Sequence, residues 1–271
     1  MTPQPEGPKQ VAARILNSYK YRGVLPELVC RVAEREWAKT PNLKQAEGSA
    51  RRKLHQVAGA YWTYAPRYTA WLAQLEHARD AGPDALRAAC REILAGHAST
   101  RERLAQLEPL YAETLADLAP IHSVLDLACG LNPLAAPWMP LAPEARYTAV
   151  DIYPALADFM GQALPLLGYR GEGIAADVLS GVPGEPVELV LLMKALPCLM
   201  QLDQAASSAL LTSLNAPHIL VTYPAASLGG RDVGMLANYS TQLERLAEGQ
   251  PWQLKRWVFG NELVYRIDRQ S

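Results

Sequence analysis

The sequence predicts an α/β chain in which a mainly parallel sheet of seven strands, covered by helices, follows an N-terminal helical domain. Three observations carry this. An apolar run of Val124, Leu125 and Leu127 breaks into a glycine turn at Gly130 and then opens toward a helix. From Ile121 onward, strand and helix patterns alternate, the sequence signature of a parallel sheet with helices on its faces. Before that point helical spacing prevails and almost no strand pattern occurs. The division predicts a helical extension over residues 1–95 and a sheet domain over residues 96–271.

In the extension, Val11, Ile15 and Leu16 form the apolar stripe of a first short helix. Pro26 stands at the first position of a second, with Leu28, Val29, Val32 and Trp37 spaced for one face. A third helix is read over residues 49–62, with Arg51, Arg52, Lys53 and His55 near its start and Leu54, Val57, Ala58 and Tyr61 on the packing side. Helices over residues 67–78 and 83–95 follow, separated by Ala81-Gly82-Pro83. Ser99, with Glu102 three residues later, reads as a capping box for a helix that continues to Leu118.

In the sheet domain the strand ends carry the chemistry. Tyr147 to Ile152 reads as a second strand ending in Asp151, an acid placed to hydrogen-bond ribose hydroxyls. Pro154 then starts a helix to Leu167, and Ile174 to Asp177 ends a third strand, where Asp177 can accept a hydrogen bond from an adenine amino group. Two such acids after a glycine turn favour an adenosine-containing cofactor. Val187 to Met193 is a fourth strand, and Lys194 at its carboxyl end belongs at the ligand crevice. His218 to Pro224 is a fifth, followed by a glycine-rich loop whose Arg231 is suited to grip phosphate or stack on a base. Two last strands, Gln253 to Phe259 and Glu262 to Ile267, meet across Gly260-Asn261. A terminal antiparallel hairpin on a parallel sheet separates class I, Rossmann-like S-adenosyl-L-methionine (SAM)-dependent methyltransferases from dinucleotide dehydrogenases.

Composition narrows the remaining choices. A chain of 271 residues, 49% hydrophobic and 20% charged, suits an ordinary soluble protein. No apolar run approaches the ~20 residues of a membrane span, and residues 1–10 lack an apolar signal core, so a cytoplasmic location is expected. The four cysteines, Cys30, Cys90, Cys129 and Cys198, have neither C-x-x-C spacing nor a nearby histidine at ligand spacing, so no metal site is expected and mostly buried, reduced thiols are. The net charge of −1 hides an asymmetry: residues 1–111 carry 17 Lys/Arg against 11 Asp/Glu, and residues 112–271 carry 9 against 16. A basic first part on an acidic remainder suggests that the extension meets a polyanion, with phosphate backbone the obvious candidate.

Several motifs in this order resemble one family closely. They are His97-Ala98-Ser99-Thr100-Arg101-Glu102-Arg103-Leu104, Asp126-Leu127-Ala128-Cys129-Gly130-Leu131-Asn132-Pro133-Leu134-Ala135 and Leu192-Met193-Lys194-Ala195-Leu196-Pro197-Cys198-Leu199, followed by Ser227-Leu228-Gly229-Gly230-Arg231, Asn238-Tyr239-Ser240 and Asn261-Glu262-Leu263. The chain resembles the aminoglycoside-resistance 16S rRNA methyltransferases that modify N7 of guanine 1405 in the decoding-site helix. The resemblance implies that Arg103 pairs with the SAM carboxylate, that Ala128 and Gly130 line its methionine part, that Asp151 holds the ribose and that Asp177 lies near the adenine. It implies further that Lys194 and Arg231 face the target nucleotide and that the basic helical extension docks rRNA; charge alone offers Arg51, Arg52 and Lys53 either an RNA-facing role or a solvated face, and Tyr239 is a candidate to stack on the base. The partner implied is 16S rRNA in the 30S subunit, met by a monomer. This chain departs from the family pattern at Tyr153, Met200 and Val233, where a second acid, a glutamate and a lysine are frequent.

The chemistry agrees with the residues. Guanine N7 has a lone pair and no proton, so methylation needs alignment and desolvation rather than a general base. No Ser/His/Asp or metal constellation is visible in the sequence. Two other readings stay open at this point: a non-catalytic RNA-binding protein on an inherited methyltransferase fold, and a small-molecule methyltransferase.

Overall fold

The computed structural model describes residues 6–58, 65–224 and 235–269, with the side chains of residues 235–237 left aside. Five helices come first: α1 (Glu6–Leu16), α2 (Pro26–Lys39), α3 (Leu43–Ala58), α4 (Tyr68–Ala81) and α5 (Pro83–Leu94). Next are α6 (Ala98–Arg103), α7 (Leu107–Leu115), β1 (Ile121–Leu127), β2 (Leu141–Asp151), α8 (Pro154–Leu166) and β3 (Arg170–Ala175). The chain continues with β4 (Leu189–Met193), α9 (Leu196–Leu202), α10 (Gln204–Ser213), β5 (His218–Pro224), α11 (Met235–Ala247), β6 (Trp252–Phe259) and β7 (Glu262–Arg269). Among the described residues no helix is long and apolar enough to cross a membrane.

The sheet has seven strands in the order β3-β2-β1-β4-β5-β7-β6, parallel except where β7 runs against β5 and β6. This is the expected architecture, with the last hairpin on one edge. Its centre is covered on both faces, which is why β4 is a continuous apolar run. Val124, Leu189, Leu191 and Leu220 point into a core shared with α4, α5, α7 and α8. Their alternating neighbours Leu125, Leu127, Val190, Leu192 and Val221 point into the core under α9 and α10. On the β3 side α8 approaches the strand closely: a Cβ on Gly173 would lie 1.8 Å from the Ala157 carbonyl oxygen, so only glycine fits there.

The five leading helices divide between two cores. Val11, Ile15, Leu28, Val29, Val32 and Leu54 of α1–α3 build a small core of their own, joined from the sheet domain by Leu202. Trp71, Leu75, Ile93 and Leu94 of α4 and α5 instead pack into the core of the sheet, with Trp71 and Tyr68 against Phe159. Each of the five helices has one apolar face, and packing decides which core that face meets.

Several local expectations need correction. The third helix begins at Leu43 rather than Ser49, and Tyr61 lies outside the described residues. The capping box does not form: α6 starts at Ala98 with His97 as its cap, so Ser99 is already inside the first turn, while the Thr100 hydroxyl donates to the carbonyls of Leu94 and His97. The helix expected to reach Leu118 breaks after Arg103 and restarts at Leu107. Pro109 accounts for the restart, since its ring and missing N–H are tolerated only in a first turn. Past Gly130 the chain forms a 3₁₀ stretch, Asn132–Trp138, interrupted by Pro137, in place of an α-helix. Cys90 and Cys129 are buried and Cys30 is exposed, and none of these three is in a disulfide.

Candidate functional site

The strand order reverses between β1 and β4, and a cleft of about 930 Å³, open mouth included, lies beyond the carboxyl ends of the strands at that point. Its floor is the turn after β1. Ala128 and Gly130 both take positive φ, 50° and 52°, which turns the backbone sharply and frees the Gly130 N–H to donate to Asp151 Oδ2 at 2.9 Å. A Cβ on Gly130 would stand 3.2 Å from the His97 ring, and the positive φ there is one that L side chains rarely adopt, so glycine suits this turn.

Asp151 ends β2 buried at the cleft wall, with Oδ1 accepting the Tyr153 N–H at 3.1 Å. Burial raises its pKa and the backbone N–H groups work against that rise. Asp177, two residues beyond β3, is also buried and lines the cleft, where Oδ1 accepts the Leu179 N–H and Oδ2 accepts Arg31 Nε at 2.6 Å. Apolar walls between these acids come from Ile152, Ala176, Val178 and Leu199.

The opposite end is a buried ionic network. Arg103 is 2% exposed; its Nε and Nη2 donate to Glu262 at 2.6–3.1 Å, and Nη1 donates to Asn132 Oδ1 at 2.9 Å. Because β7 is antiparallel, its first residue, Glu262, lies opposite Pro224 at the carboxyl ends of the parallel strands and so reaches Arg103 and Lys194 at the edge of the cleft. Burial raises the Glu262 pKa, but Arg103 and Lys194 outweigh it and hold the carboxylate ionised; burial likewise opposes the charge on Arg103, and Glu262 outweighs that. Lys194, in the left-handed region at φ 59°, donates Nζ to Glu102 Oε2 at 2.7 Å and lies 3.5 Å from Glu262 Oε2. Behind Arg103, the Asn132 amide donates to Asp126 Oδ2, which also accepts the Tyr147 hydroxyl. Burial pushes the Asp126 carboxyl up to about 7, and burial together with Arg103 and Arg101 pushes the His97 imidazole down to about 4.

Arg103, Ala128, Gly130, Asp151, Asp177 and Lys194 therefore line one cleft, as the sequence led us to expect. The other candidates fall elsewhere. Tyr239 stacks on Tyr223 with ring centroids 4.8 Å apart and is not among the residues lining the cleft. Arg231 and Val233 lie outside the described residues. Arg51 pairs with Glu47 one turn back on α3 and ties the helix to α1 and the turn after it through the Arg14 carbonyl and the Ser18 hydroxyl; Arg52 is exposed and donates to Ser49; Lys53 donates to the Gln201 carbonyl on α9. Met200 is buried, and Tyr153 lines the cleft with its hydroxyl donating to the Ala58 carbonyl. Sequence reasoning left Glu262, Asn132 and Glu102 without site roles. The available signal for Glu262 was an acid heading the apolar run Leu263-Val264-Tyr265, just after a turn.

The residues present fit a zwitterionic sulfonium nucleoside. Arg103 retains N–H groups beyond those given to Glu262 and Asn132 and can meet a carboxylate, Asp151 has lone pairs for a diol, and the Ala128–Gly130 turn brings main chain to the cleft wall.

A parallel sheet ending in an antiparallel hairpin, with this cleft at its reversal point, defines a SAM-dependent methyltransferase. The family model described as ribosomal RNA methyltransferase (FmrO) matches residues 17–266, and the chain belongs to that family. A 16S rRNA (guanine(1405)-N(7))-methyltransferase of Micromonospora echinospora is 39% identical over 263 residues, 96% of each chain, and one of Serratia marcescens is 35% identical over 95% of this chain and 96% of that one. The crystal structure of 16S rRNA methyltransferase RmtF in complex with S-adenosyl-L-homocysteine (SAH) has a TM-score of 0.82 at 33% identity, covering 98% of this chain and 100% of that one.

Proposed function

We propose that this chain transfers a methyl group from SAM to N7 of guanine 1405 of 16S rRNA, and so confers aminoglycoside resistance. The supporting observation is the convergence of Arg103, Asp151 and Asp177 on one cleft in a chain so similar to relatives of that name. The cofactor, when bound, supplies an electrophilic methyl group on sulfur. Arg103 neutralises its carboxylate, Asp151 accepts from the ribose hydroxyls, and Asp177 with the apolar walls receives the adenine. The backbone at Ala128 and Gly130 lines the methionine part. No residue need remove a proton, because N7 carries none; the protein's contribution is alignment in a cleft from which water is excluded.

The substrate is rRNA in the assembled 30S subunit, and the enzyme acts as a monomer in the cytoplasm. N7 faces a major groove that in A-form RNA is too deep and narrow for side chains, so the target guanine must be displaced into the cleft. Lys194 at the cleft and Arg231 meet the displaced nucleotide, while Arg51, Arg52 and Lys53 of the helical extension hold the surrounding phosphates. The test is incubation with 30S subunits and labelled SAM, then mapping of the modified base by chain cleavage. Label is expected on guanine 1405. Label on an adenine or a cytosine refutes the assignment, and no label supports a non-catalytic RNA-binding protein.

A further inference from the structure

The helices that carry the basic cluster also wall the cleft. Leu28 of α2 and Val57 and Ala58 of α3 line it, beside residues of the sheet domain. Five polar ties reach from α1–α3 and the turn before α2 to the sheet domain, and all five end on the cleft wall or next to it. The Leu25 N–H donates to the Ile152 carbonyl at 2.8 Å, and the Tyr153 hydroxyl donates to the Ala58 carbonyl. Arg35 pairs with Asp203, and Lys53 donates to the Gln201 carbonyl, on either side of Leu202. Arg31 Nε donates to Asp177 Oδ2 at 2.6 Å, and that carboxylate is 4% exposed. Leu202 itself is counted in the core of α1–α3, while Ile152, Tyr153 and Leu179 pack against that core.

We propose that docking of α1–α3 against the sheet domain and cofactor binding are one linked equilibrium, with Arg31 as the residue that positions Asp177, so that cofactor and rRNA bind cooperatively. Val11, Ile15, Leu28, Val32 and Leu54 give α1–α3 a core distinct from that of the sheet, so their placement against the sheet domain depends on the five ties and on the contacts of Leu202, Ile152, Tyr153 and Leu179. A ligand lying between Asp151 and Asp177 touches both sides of that junction and favours the docked arrangement. A small subunit held by the basic face of α3 while its target base occupies the cleft requires the same arrangement. Two ligands that select one arrangement raise each other's affinity by the same factor.

This inference rests on the SAM-binding reading, and the experiment separates the two. SAH is titrated calorimetrically into the wild type, Arg31→Met, which keeps the aliphatic stem, and Arg31→Lys. The expected result is binding weakened about tenfold in Arg31→Met, the scale of one lost charge-assisted hydrogen bond, with partial recovery in Arg31→Lys. Saturating SAH is expected to tighten 30S binding several-fold in the wild type and not in Arg31→Met. In the wild type, SAH is also expected to slow amide exchange across residues 6–58. Unchanged or tighter SAH binding by Arg31→Met overturns the proposal, as does unchanged exchange across residues 6–58, a measurement that decides the matter even should the variant fail to fold. A wild type that binds no SAH sinks the cofactor reading itself.

Discussion

Two groups of cations were singled out for contact with anions, and the fold treats them in opposite ways. Arg103 and Lys194 are buried at the cleft, with side chains 2% and 7% exposed, and each is matched to acids of its own chain. Arg51, Arg52 and Lys53 stand on α3, where Arg52 is exposed and the other two reach neutral carbonyls as well as one acid, Glu47. A charge taken out of water must be matched at once, so the cleft cations bring Glu262 and Glu102 with them. A charge left in water carries no such requirement and remains available to a polyanion.

The strongest way to break this contrast is to remove one side of the buried pair. Arg103→Ala leaves Glu262 buried with Lys194 as its remaining cation at 3.5 Å, and the expected loss is about 3–5 kcal/mol of unfolding free energy, read as a lower urea midpoint. Replacing both partners, Arg103→Met with Glu262→Leu, should cost clearly less than Arg103→Ala alone, because no unmatched charge is left behind. SAH binding should be lost in both variants. A double variant as unstable as the single one would mean that packing rather than charge matching holds this end of the cleft.

A subtler effect of the same buried network is its response to pH. The Asp126 carboxyl, raised to about 7, holds its proton in the folded chain at pH values where an unfolded carboxyl has lost it. Its contribution to stability therefore falls as pH rises from about 4 to about 7. His97, lowered to about 4, resists protonation in the folded chain, so its contribution is lost as pH falls from about 6.5 to about 4. The two slopes oppose each other in the wild type. Asp126→Asn should expose the histidine slope, with stability climbing from pH 4 to 6.5, and His97→Gln should expose the opposite one. Urea midpoints across that range that stay parallel in all three chains would contradict this assignment.

What the sequence made legible follows from locality. The strand ends were readable because apolar runs, a glycine turn and an acid two dozen positions later are patterns within short windows, and Gly130, Asp151, Asp177 and Lys194 came out together at one cleft. Glu262 was not readable as the partner of Arg103, because the two are 159 positions apart and only the antiparallel return of β7 brings them together. The capping box misled because a helix start two residues early turns a cap into an interior residue, and Glu102 then serves Lys194 instead. Nor did periodicity separate α1–α3 from α4–α5, since both have one apolar face and only packing decides what it meets.

The exposed side of the contrast predicts the smallest changes in stability and divides three adjacent cations. Arg52→Glu alters a side chain whose described hydrogen bond is to Ser49, one turn back on its own helix, so unfolding should shift by no more than about 0.5 kcal/mol. Arg51→Glu should cost about 1–2 kcal/mol, because its hydrogen bonds to the Ser18 hydroxyl and the Arg14 carbonyl hold α3 against α1 and the turn after it, a third pairs it with Glu47 one turn back on α3, and a carboxylate can make none of them as donor. Lys53→Glu falls between, losing its contact with the Gln201 carbonyl on α9. Binding to 30S subunits should weaken in all three, with the salt slope of log K reduced by roughly one for each cation removed. Arg52→Glu is thus the variant that isolates rRNA contact from folding. If it binds 30S subunits with the wild-type salt slope, α3 is a solvated face and the polyanion is gripped elsewhere.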